Sequence, residues 1–136
     1  MKKVFLLIAL IFAISVYSFA QQTEADTTLV IQFDSLVHDY GTIVKGSDGG
    51  CEFVFRNAGK TPLVLNNVSA SCGCTVPEWT REPVQPGKNG VIKVKYNTMI
   101  VSAFNKSITV TSNAKNSPVI LSIKGTVTEP PTTEVK

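Results

Sequence analysis

The sequence predicts an all-β chain, an immunoglobulin-like antiparallel β-sandwich of about seven strands. Between residues 29 and 127 the apolar residues recur at every second position instead of at helical spacing. The alternating runs are short, and clusters of Gly, Pro, Asn and Ser separate them. No window carries an amphipathic helix. Short strands at this spacing fit a two-sheet sandwich, and a barrel of similar strand number is the main alternative.

Phe53 and Phe55 alternate with Glu52 and Val54, and Asn57-Ala58-Gly59 with Lys60-Thr61-Pro62 ends that run. Pro86-Gly87-Lys88-Asn89-Gly90 precedes Ile92, Val94 and Tyr96, which alternate with Lys93 and Lys95. Ile108 and Val110 alternate with Ser107, Thr109 and Thr111. Ser112 to Pro118 then turns the chain into Val119, Leu121 and Ile123. Each run sets an apolar row against a core and a more polar row toward water. The expected core is Phe33, Phe53, Phe55, Leu63, Leu65, Ile92, Val94, Tyr96, Ile108, Val110, Leu121 and Ile123. A domain of this length buries roughly 65% of its extended-chain surface, enough to fold without metal or disulfide staples.

The 136 residues divide into four stretches. Residues 1–20 read as a signal peptide: Lys2 and Lys3 start it, Val4 to Val16 supply the apolar stretch, and Ser18-Phe19-Ala20 offers small residues before the cut. The uninterrupted apolar run stops at Ser15, short of the ~20 residues a membrane span needs. No cysteine near the cut offers a lipid attachment site. Residues 21–28 read as a flexible leader, 29–127 as the sandwich and 128–136 as a disordered tail. The expected destination is the periplasm or the extracellular space, with no membrane insertion once the signal is removed. Beyond residue 20, 11 basic residues face 10 acidic ones. That balance offers no electrostatic footprint for nucleic acid.

Export changes how the three cysteines are read, because disulfides persist outside the cytoplasm. Cys72 and Cys74 flank Gly73. In an extended strand, residues i and i+2 share a face, with Cα atoms near the outer limit of about 6.8 Å for a disulfide. Gly73 can adopt angles closed to other residues, so a tight turn would bring the sulfurs together. Three readings stay open: a local redox pair, a pair of thiolates for a soft metal such as Cu(I), and structural cysteines. In the third, the residues are small and buried, or one of them pairs with Cys51. Cys51 shares parity with Phe53 and Phe55, so its side chain is expected to face the core. Two thiolates fall short of a closed zinc site, His38 is far away in sequence, and Met99 adds a thioether only if the fold brings it close. The odd count leaves a thiol or an intermolecular link.

The segment Ser71-Cys72-Gly73-Cys74-Thr75-Val76-Pro77-Glu78-Trp79, with His38-Asp39-Tyr40-Gly41-Thr42-Ile43 upstream, resembles the bacterial domain-of-unknown-function family 1573. Pro86-Gly87, Phe104-Asn105-Lys106, Ile108 to Asn113 and Ile123-Lys124-Gly125 fit the same pattern, so the likeness runs from about 33 to 127. It implies an immunoglobulin-like sandwich similar to major sperm protein and Hydin-type domains, and export from bacteria. It implies no activity and carries no assigned functional residue. Cys51 departs from the family pattern.

The other candidates have plain structural readings. His38 beside Asp39 lacks a nucleophile and fits a strand-edge histidine. Glu78 and Glu82 flank Trp79, but Arg81 and Pro83 beside them fit a surface loop. Gly46-Ser47-Asp48-Gly49-Gly50 precedes a strand, not a helix, and reads as a hairpin turn rather than a phosphate loop. Trp79 and Arg81 are candidate partner contacts, since loop aromatics recur at interfaces. The expected function is an exported, non-catalytic module without a cofactor. Its partner is a protein or cell-envelope component, engaged through the Cys72–Gln85 segment or the strand edges. The alternative is a thiol redox or Cu(I)-handling protein using Cys72 and Cys74.

Overall fold

The computed structural model describes residues 29–133. Residues 1–20 and 21–28 lie outside the described residues, as do the last three of the tail. Eight strands follow in order: β1 Ile31–Phe33, β2 Val37–Val44, β3 Gly50–Asn57, β4 Leu65–Ala70, β5 Thr75–Trp79, β6 Asn89–Tyr96, β7 Ala103–Ser112 and β8 Val119–Thr128. They form two four-stranded sheets, β1-β3-β6-β5 and β2-β8-β7-β4. The chain is therefore an all-β sandwich, as the alternation predicts.

Two details differ from the expectation. The sandwich is not wholly antiparallel, because β2 runs parallel to β8. Only Asp34, Ser35 and Leu36 separate β1 from β2. The chain switches sheets there without reversing direction, so the two strands act as one edge strand shared between the sheets. The Gly46–Gly50 segment likewise joins β2 in one sheet to β3 in the other, so it is no hairpin. At the other end, Thr128 belongs to β8, where its carbonyl accepts from the Lys45 N–H at 2.8 Å. Residues 129–133 have no regular structure.

The core lies between the sheets. All twelve expected core residues except Phe33 are buried, and Phe33 packs against the cluster from the rim. Leu29, Ile31, Val68, Val84, Phe104, Ala114 and Val127 are also buried. Phe55 pairs in register with Gly90, and a Cβ at Gly90 would collide with the Phe55 ring. The absent side chain makes room for the phenyl group. Tyr96 stacks on Phe104 with ring centroids 3.8 Å apart, and Tyr40 leans on the same ring at 5.7 Å.

The connections 45–49, 71–74 and 97–102 gather at one end of the sandwich, and 58–64, 80–88 and 113–118 at the other. At the second end Asn57 ties the loops together. Its amide donates to the carbonyls of Thr61 at 2.7 Å and Val84 at 2.8 Å, and its oxygen accepts from the Gly59 N–H at 2.9 Å.

Candidate functional site

The first end carries the unusual chemistry. β4 finishes at Ala70 in one sheet and β5 starts at Thr75 in the other, so four residues must cross between the sheets. They do so in a turn in which the Thr75 N–H reaches the Cys72 carbonyl at 3.4 Å. The turn draws the two Cα atoms to 5.3 Å, and Cys72 is bonded to Cys74. The local pairing is therefore the one that forms. Gly73 contributes smallness at an open position, with nothing within 4 Å of where a Cβ would stand; its φ is not in the left-handed region.

Cys51 does not join the pair, which corrects its reading as a disulfide partner. It lies on β3 opposite Val94 of β6, and Pro77 of β5 is the next residue across. Two inter-strand spacings separate it laterally from the β5 line, about 10 Å, beyond disulfide reach. Cys51 is a free, half-buried thiol. Burial pushes the thiol up from its ordinary range, while the Tyr40 hydroxyl beside it pulls the other way. Burial likewise raises Tyr40, whose O–H donates to the Gly49 carbonyl at 2.7 Å.

The two bonded sulfurs have different surroundings. Cys72 Sγ lies 3.6 Å from Oγ1 of Thr75, a buried hydroxyl. The O–H is the donor, since a disulfide sulfur carries no proton. Cys74 packs partly on the core and lines a shallow depression with Gly46, Val76, Lys95, Asn97 and Met99. The fold thus brings Met99 to the cysteines from 25 residues away. Gly46, with φ of 82°, makes the neighbouring turn, and a Cβ there would approach Met99 Sδ to 4.0 Å. Val76 and Met99, which line the depression, are each 59% exposed, and Ile100 at 43% and Val101 at 42% follow Met99 in the same connection. Scattered apolar residues are ordinary, but a contiguous group is informative.

The remaining candidates lie elsewhere. Trp79 ends β5 at the opposite end, half-buried against the core. The Arg81 guanidinium sits 3.6 Å from the ring centroid, so the pair presents a cation–π stack and not a bare indole. Trp79 Nε1 is buried without a hydrogen-bond partner. His38 stands edge-on to Tyr40 at 4.5 Å on the edge strand β2. Asp39 turns away from it, accepting from the Gly41 N–H at 2.8 Å and approaching Lys124 at 3.7 Å. Glu78 faces outward in register with Lys93, which also meets Glu52 at 3.9 Å. Glu82 is exposed in the following loop. Among the described residues no three His, Cys, Asp or Glu side chains gather as a metal site.

The layers, the shared edge strand and the strand order define an immunoglobulin-like sandwich. The PapD-like domain 7 of human CEP192 superimposes with a TM-score of 0.65 at 8% identity, over 86% of this chain and 98% of that domain. Within this class the chain belongs to the family described as protein of unknown function (DUF1573), which matches residues 31–127. A protein of unknown function from Porphyromonas gingivalis W83 superimposes with a TM-score of 0.67 at 19% identity, covering 80% of this chain. The chain spans about half of that protein, 51% of its length. The secreted serine protease VesC of Vibrio cholerae contains a similar fold, with a TM-score of 0.56 at 14% identity over 24% of its length. At these identities the likeness is one of fold. No curated protein sequence matches the chain.

Proposed function

We propose that this is an exported, non-catalytic binding module that engages a protein partner through the disulfide-bearing end. The observation that carries the reading is the pair of exposed apolar side chains Val76 and Met99 lining the depression with Cys74, followed in the chain by the exposed Ile100 and Val101. An exposed apolar group stabilises a contact when water leaves it, by about 25 cal/mol per Å². The partner's chemistry follows: a protein surface presenting apolar side chains, since the rim offers no concentrated charge.

Strand addition is the weaker mode here, because every sheet edge is blunted. β1 has three residues, β2 is irregular between Asp39 and Thr42, β4 between Leu65 and Asn67, and β5 carries Pro77 at its centre. Short edges, bulges and proline are the usual protections against strand pairing. Beyond β1 the Val54 carbonyl already accepts from the Asp34 N–H, so β3 is open only from Gly50 to Phe53. Export rests on residues 1–20 and on the disulfide, which persists in an oxidising compartment.

The test is site-specific photo-crosslinking in the native host, with the reactive side chain at position 99 or, as control, at position 115 on the opposite end. A crosslinked protein at 99 but not at 115, lost when Val76→Asp is added, is the expected result. Equal capture at both positions, or capture at 99 unaffected by Val76→Asp, overturns the assignment.

A further inference from the structure

We propose that the Cys72–Cys74 disulfide exchanges with an external dithiol, with Cys74 the sulfur attacked and Cys72 the sulfur that leaves. The two sulfurs are unlike in the way such a reaction requires. Displacement at a disulfide is in line, so the attacking thiolate approaches one sulfur from the side away from the other. Cys74 lines the open depression and Cys72 does not, so a thiolate entering there meets Cys74. Cys72 has its sulfur beside the Thr75 hydroxyl at 3.6 Å, a donor with no other acceptor in range among the described residues. An O–H aimed at the departing sulfur stabilises the negative charge that builds there, and charge-assisted hydrogen bonds are the stronger kind. Lys95 lines the same depression and supplies a cation for an incoming thiolate.

The first step forms a bond between the substrate sulfur and Cys74 Sγ, breaks the Cys72–Cys74 bond and leaves Cys72 as a thiolate. In the second, the substrate's other thiolate attacks the substrate sulfur already bound, closes the substrate disulfide and releases Cys74. The substrate loses two electrons and two protons, and Cys72 and Cys74 gain them. One protein thus oxidises one dithiol. Val76 and Met99 wall the depression with apolar surface, which favours a cysteine pair of a polypeptide with apolar neighbours over a small polar dithiol. Exchange requires only that a thiol reach the depression, so it stands or falls separately from the contact surface proposed above.

The test treats the folded, oxidised protein with glutathione, quenches with acid and an alkylating agent, and locates both adducts by fragment mass spectrometry. The expected product carries glutathione on Cys74 and the alkyl group on Cys72, in at least tenfold excess over the reverse. Thr75→Val is expected to slow the attack about three- to tenfold while Thr75→Ser retains the rate, and Lys95→Gln to weaken its salt dependence. A fold-only role for Thr75 would move the melting temperature and leave the site of the adduct and the rate ratio alone. Glutathione on Cys72, an even mixture, no exchange until the protein is denatured, or a Thr75→Val rate equal to wild type each overturns the proposal. A dithiol peptide with leucine beside each cysteine is then compared with dithiothreitol at equal thiolate concentration. The peptide is expected to react faster, and equal rates overturn the polypeptide assignment.

Discussion

Replacing Cys72 and Cys74 together by serine measures how much the fold owes to their bond. The bond joins residues two apart and closes a loop of three residues. On the chain-entropy relation, closing so short a loop removes little freedom from the unfolded chain and stabilises by about 1.6 kcal/mol. The turn keeps its backbone contact from Thr75 to Cys72 without the sulfurs. With an unfolding entropy near 2.1 cal/mol/K per residue over the roughly 105 ordered residues, the loss lowers the melting temperature by about 7 °C. Leu121→Ala, which opens a cavity at a fully buried site, sets the scale of a core lesion at about 2–5 kcal/mol. The assay is thermal and guanidinium unfolding of four samples: oxidised wild type, wild type with a phosphine reductant, the double serine variant and Leu121→Ala. Reduced wild type and the serine variant are expected to melt alike and above Leu121→Ala. A fall of more than about 15 °C, or loss of a cooperative transition, would refute the reasoning and make the pair a staple.

Asn57→Ala strips three hydrogen bonds from a buried site and is expected to cost about 3 kcal/mol or more in guanidinium unfolding, because two carbonyls lose their donors. Trp79→Phe removes the unpartnered Nε1–H together with some packing, so it is expected to stay within about 1 kcal/mol of wild type, whereas Trp79→Ala costs about 3 kcal/mol. Burial raises Cys51 above its ordinary 9.0 and Tyr40 above 10.0. Above those values the unfolded chain releases protons that the folded chain retains. Stability is therefore complete below about pH 9 and falls as pH rises, first through Cys51 and then Tyr40. A pH series of unfolding midpoints checks this, and Cys51→Ala is expected to delay the first decline. The intact mass of the protein expressed with its native start in a bacterial host is expected to lack residues 1–20, and retention of that segment would remove the export reading.

The sandwich was legible because its core strands alternate cleanly. The Phe53–Phe55, Ile92–Tyr96 and Ile108–Val110 rows are buried where period two puts them. β2 was harder to read. Val37 to Val44 carries exposed valines at both ends and a bulge at Gly41, so its alternation does not mark one buried face. Its parallel partner is set by the three-residue switch after β1, a tertiary constraint that period two does not encode. Val84, Ala114 and Leu29 are buried outside the strands, where alternation gives no signal. They pack at the end of the sandwich that holds connections 58–64, 80–88 and 113–118, and belong to no alternating row.

The candidate site shows the same division between local and distant information. The chemistry of Cys72-Gly73-Cys74 is local, and so is the turn that closes the bond. What distinguishes the two sulfurs is not local. Thr75 gains its meaning when β5 starts and buries its hydroxyl beside Cys72, and Met99 and Lys95 reach Cys74 only because β6 delivers them to the same end. Cys51 carried the right parity for the core but no information on its distance from the other cysteines, which depends on β6 lying between β3 and β5. Parity says which face a sulfur takes, and strand order says what it can reach. A half-buried disulfide with one cysteine lining an open depression beside Val76 and Met99, and the other sulfur hydrogen-bonded, is therefore where contact and exchange experiments should begin.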